Sequence, residues 1–141
     1  MAAEAVIIEL IGKIPGCPIR YTIASSAITK GSLLEFTDAG NRLVRIHTGI
    51  DKPIAGIAAE DTTVASGVLQ ITAYTNGIFD MTAAAAGATD VGHLVAGSAT
   101  VNKFTAADGN DLLQGSFIGQ AYEAVDNDEV AAIRMILPRI I

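Results

Sequence analysis

The chain is predicted to be all-β: a compact β-barrel or β-tulip built from two similar half-units, with an extended N-terminal arm and at most one short helix. Three observations predict it. Short runs rich in β-branched residues recur between turns of Gly, Asn, Asp and Pro. The second half echoes the first, and no long stretch carries a convincing helical pattern.

Residues 3–11 carry Val6, Ile7 and Ile8 and read as a strand, which "GKIPGCP" then interrupts. Pro15 and Pro18 keep this arm out of the centre of a sheet, because proline cannot donate to a strand ladder. A second strand follows, in which Ile19, Tyr21 and Ile23 alternate with polar or small residues. From residue 27 the chain aligns with itself. At an offset of 61, Ala27, Gly31, Leu33, Leu34, Asn41, Arg42 and Leu43 face Ala88, Gly92, Leu94, Val95, Asn102, Lys103 and Phe104. At offsets of 63 and then 62, Gly56, Ala58 and Glu60 face Gly119, Ala121 and Glu123, and Val68 and Ile71 face Val130 and Ile133. The expected division is an arm and bend over 1–26 and a barrel domain over 27–141, with half-units of about 27–81 and 88–137. Two copies are too few for a solenoid, so two half-barrels closing on one core is the expected picture; closure removes unpaired strand edges. The best helix candidate is "DMTAAAAGATD", residues 80–90, as a connector between the units.

Composition bounds the function. A chain of 141 residues is the size of one domain, and 50% apolar against 17% charged residues excludes a disordered one. The mean hydropathy of +0.44 points to apolar surface buried against other chains. A net charge of −6 without a basic cluster disfavours nucleic acid. No uninterrupted apolar run reaches the ~20 residues of a membrane span. The N-terminus lacks the basic region of a signal peptide, so synthesis and retention in a cytoplasm are expected.

Candidate chemistry is thin. His47 and His93 stand apart from any nucleophile, and none of the serines lies in a G-x-S-x-G elbow. No glycine pattern forms a phosphate cradle. "DGNDLLQG" (108–115) resembles a single calcium-repeat turn and "VDNDEV" (125–130) the start of an EF-hand loop; both read better as tight turns. Cys17 is alone, which excludes a disulfide within the chain. The chain is therefore expected to be no enzyme, with no catalytic residue, cofactor or metal. The apolar ends are the candidate interfaces: Val6, Ile7, Ile8, Leu10, Ile11 and Ile14 in the arm, and Leu137, Ile140 and Ile141 in the tail. Glu60 and Glu123 are expected to be structural carboxylates facing the barrel or a neighbouring subunit.

The unit from Gly56 to Met81, the Ala/Gly linker, "GHLV", and "FIGQAYEAVDNDEVAAIRMIL" (117–137) together resemble the small capsid decoration, or cement, proteins of tailed double-stranded DNA phages. The matching positions are Gly56, Ile57 and Ala58; Gly77 and Phe79; Gly92 and Val95; Ile118, Gly119, Ala121 and Glu123; and Val130, Ile133 and Arg134. The resemblance covers about residues 27–137; the arm departs from it. It implies a trimeric structural virion protein on the outer capsid surface, cementing neighbouring major capsid protein subunits against DNA pressure. The alternatives are a head fibre base or tail component, or a small trimeric β-barrel ligand-binding protein.

Overall fold

The computed structural model describes residues 4–10, 18–24, 27–37, 42–63, 70–85 and 88–137. Ile11, Ile14, Cys17, Ile140 and Ile141 lie outside the described residues.

The strands in order are β1 (Val6–Glu9), β2 (Ile19–Ile23), β3 (Leu33–Phe36), β4 (Leu43–Ile46), β5 (Ile54–Ala58), β6 (Gln70–Tyr74), β7 (Asn76–Ala83), β8 (Leu94–Gly97), β9 (Lys103–Ala106), β10 (Phe117–Ala121) and β11 (Val130–Ile136). A six-residue helix, α1 (Gly109–Gln114), stands between β9 and β10. The fold is all-β and built from two similar half-units, as expected, and each half closes separately. The first barrel is β2-β4-β3-β5-β6; in the second, β7-β11-β10-β8-β9 closes because β9 also pairs with β7. Each closure uses one parallel pair, β2 with β4 and β7 with β9.

The duplication is written in hydrogen bonds. Ala58 N–H to Ser32 O matches Ala121 N–H to His93 O, and Gly31 N–H to Ala58 O matches Gly92 N–H to Ala121 O. Ala59 N–H to Thr72 O matches Tyr122 N–H to Ala132 O, and the bridge Ile28–Thr62 matches Thr89–Val125. These matches correct the sequence alignment at three points. Strand β2, assigned by sequence to the arm, is the counterpart of β7, so the repeat starts one strand earlier than residue 27. Arg42 and Asn102, both at positive φ, are equivalent, which puts β4 and β9 at an offset of 60. Ala73, not Ile71, occupies the place of Ile133. The errors share one cause: insertions and deletions fall in turns, where small polar residues align with anything.

The glycine of the repeated "G-x-A" strand has a physical reason. In each half a bulge places one extra residue, Ala55 or Ile118, opposite the neighbouring strand. The next residue is then pressed against the strand on its other side. A Cβ on Gly56 would lie 2.5 Å from Tyr74 O, and one on Gly119 would overlap Arg134 O.

Two clusters form the core. Tyr21, Ile23, Leu34, Val44 and Ile71 fill the first barrel. Phe79, Met81, Phe104, Ile133 and Met135 fill the second, and Leu33, Ile54 and Ile57 of the first barrel join this second cluster. Strands β3 and β5 thus present one row to their own barrel and the other to the neighbouring one, so the barrels pack as one body. Only Thr75 separates β6 from β7.

Among the described residues 80–85 and 88–90, the expected helix does not form. Strand β7 runs to Ala83, and Ala83 and Ala84 are buried, so sheet pairing overrides alanine's helical preference. The helix lies instead in "DGNDLLQG", read from sequence as a turn. Asp108 accepts from the N–H groups of Asn110 and Asp111, Asp111 returns a bond to Asp108 N–H, and Gly115 ends the helix at φ 76°.

Candidate interaction surfaces

Strand β1 lies beside β7, antiparallel, with Val6 opposite Asp80 and Ile7 opposite Phe79. It occupies the part of the β7 edge that β9 leaves free. It also ties the two barrels together, because Ala5 N–H donates to Gly31 O at 2.6 Å. The sequence-derived interface residues divide accordingly. Ile7, Leu10 and Leu137 pack on the core of the second barrel. Val6 and Ile8 point outward, 60% and 51% exposed.

Glu60 and Glu123 face solvent rather than a barrel interior. Strand β5 ends at Ala58, so Glu60 stands beyond it, where its carboxylate accepts from Thr72 N–H at 2.9 Å.

The buried polar groups concentrate at the junction. Glu35 is buried and accepts from Arg45 Nε at 2.7 Å, Thr48 N–H at 3.0 Å and the Thr48 hydroxyl at 2.8 Å. Burial alone would push its carboxyl up; the bonds from Thr48 and Arg45 outweigh this and hold it below the ordinary value. His47, at the end of β4, is fully buried and reaches the second barrel: a Cβ on Gly97 of β8 would lie 2.8 Å from its Nε2. Neither ring nitrogen has a hydrogen-bond partner. Burial lowers its pKa, and the nearby Gly49 backbone and Glu35 charge only partly offset this. In the sequence His47 stands only as a histidine apart from any nucleophile. Its burial is not visible there, because it depends on the second barrel packing over the end of β4.

His93 is exposed and lines a cavity of about 370 Å³ with Asp90, Asp126 and Glu129. Among the described residues no group of three or more His, Cys, Asp or Glu side chains is arranged to hold a metal ion. No described helix is long and apolar enough to cross a membrane.

Charge separates the barrels. Residues 18–75 hold five basic and five acidic side chains, whereas residues 76–137 hold two basic and eight acidic ones. The whole net charge of −6 therefore sits on the second half.

The base of the head fibre gp8.5 of bacteriophage phi29 shares the fold, with a TM-score of 0.53 at 13% identity, covering 88% of this chain and 97% of that one. No curated protein matches the sequence. The phage cement protein family matches residues 14–137, nearly the whole double barrel including β2. The chain belongs to the phage cement protein family, a family of structural, virion-associated proteins of the phage head.

Proposed function

We propose that this chain binds the outer surface of a phage capsid as a homotrimer and cements neighbouring major capsid protein subunits against the pressure of packaged DNA. The family match over residues 14–137 carries the reading. The architecture agrees with it. Two barrels sharing an apolar contact form one packed body, as a clamp between subunits requires. Exposed Val6 and Ile8 on β1 supply apolar contact area at one edge. Trimerisation would present three such edges together and multiply weak contacts through effective concentration.

A second reading, a head fibre base, is favoured by the shared fold with the gp8.5 base. Both readings place the protein on the head, and they differ in what it carries.

The test is to add purified protein to heads that lack it. Sedimentation as a trimer and saturable binding over the capsid lattice are expected. Binding confined to a few sites per head would favour the fibre base, and binding to tails alone would overturn both.

A further inference from the structure

The two barrels offer an internal control for reading their surfaces. Pairing registers make Arg20, Thr22, Gln70 and Thr72 of the first barrel equivalent to Asp80, Thr82, Val130 and Ala132 of the second. On the first barrel this outer wall satisfies itself: Arg20 donates to Gln70 Oε1 at 2.9 Å and to Thr72 Oγ1 at 3.1 Å. It is a solvent face.

On the second barrel the same wall has lost that network and carries apolar side chains. Val6 and Ile8 of β1, Val130 and Ile136 of β11, Leu94 of β8 and Tyr122 beyond β10 are all 41–60% exposed. Strands β1, β7, β11, β10 and β8 are consecutive neighbours, so these residues share one continuous wall. Arg134 stands among them, its guanidinium held by Tyr122 Oη at 3.1 Å. A largely apolar wall that carries an aromatic and an arginine has the composition of a binding surface rather than of a solvated face.

Acids border it. Glu9 ends β1, Glu123 follows Tyr122 and Glu129 precedes Val130, while Asp80 stands inside the wall, between Val6 and Ala132. A second copy set face to face would bring two such acidic borders, each on a barrel of charge −6, into contact. The charge pattern fits a different partner.

We propose that the outer wall of the second barrel, centred on Val130 and Val6, is the docking face, and that it seats on an apolar patch bordered by Lys and Arg on the shell protein. This rests on the cement reading and adds to it which barrel, and which wall of that barrel, meets the capsid. The first barrel then stands off the shell or meets sister subunits.

Binding of full-length chain to heads lacking it is the test, with Val130→Asp and Ile8→Asp compared with Gln70→Asp, the matched position on the first barrel. The expected result is a loss of about tenfold or more in affinity for the first two, a change within about twofold for Gln70→Asp, and weaker wild-type binding as salt rises. Unchanged binding by Val130→Asp, or salt-insensitive binding, overturns the proposal. So does a Val130→Asp chain that no longer sediments as the wild type does, because the wall would then be covered by a sister subunit. If wild-type protein does not bind heads at all, the cement reading itself falls.

Discussion

The two barrels have the same strands, the same bulge and the same turn bonds, yet one is neutral with a hydrogen-bonded polar wall and the other is strongly acidic with an apolar one. The difference teaches what each half must preserve. Backbone features recur wherever closing a barrel requires them: the glycine after the bulge, the bonds from Gly31 and Gly92, the positive φ of Arg42 and Asn102. Side chains diverge wherever they meet something outside their own barrel. Glu35, Arg45 and His47 have Ala96, Thr105 and Ala107 as counterparts, so the junction network exists once, on the first barrel.

The bulge glycines give the strongest way to break this comparison. Gly119→Ala forces a methyl into Arg134 O and is expected to cost roughly 3 kcal/mol or more. Gly56→Ala, against Tyr74 O at 2.5 Å, is expected to cost about 2 kcal/mol or more. Urea denaturation of both checks the order, and a harmless Gly119→Ala would remove the account of why this glycine recurs.

Next is the junction. Gly97→Ala drives a methyl against His47 Nε2 and is expected to cost about 1–3 kcal/mol. In a His47→Ala background most of that cost should vanish, so the double-mutant cycle should show clear coupling. Simple additivity would mean that His47 does not bridge the barrels.

A smaller effect should follow pH. The folded chain holds His47 neutral, while the unfolded chain takes up a proton below the ordinary value of 6.5. Stability is therefore complete above that value and falls as pH decreases through it; His47→Gln should flatten that slope. Glu35 acts lower on the scale. Its depressed pKa contributes stability that is present above the ordinary value of 4.5 and lost below it, so Glu35→Gln should remove that acid-range loss; because the Glu35 charge also favours protonated His47, the same change should steepen rather than flatten the slope near pH 6. Thermal unfolding across pH checks both.

The smallest effect should come from α1, the helix between β9 and β10. Asp108→Ala removes a cap from two N–H groups and should cost about 1 kcal/mol without altering the barrels.

Much of the fold was legible in the sequence because barrel closure leaves local traces. Alternation at Ile19, Tyr21 and Ile23, β-branched runs and the echoed "G-x-A" each follow from short-range geometry. What could not be read was set by distant contacts. Ala83 became strand and Ala84 a buried connection because β9 and β11 flank β7 there. The helix was announced by the Asp108 and Asp111 capping pair, a signal outweighed by the turn-like composition of "DGND". Separate closure of each half could not be inferred because the parallel β2–β4 and β7–β9 pairs join strands far apart in sequence. Of the interface candidates, Val6 and Ile8 could be told from Ile7 only once β1 was placed against β7.

The most direct test of the central claim is the temperature at which DNA-filled heads release their DNA, measured with and without bound protein. Cementing predicts that saturating protein raises the release temperature, and that a variant still trimeric but unable to bind does not. Heads that are fully decorated yet release DNA at the undecorated temperature would contradict it.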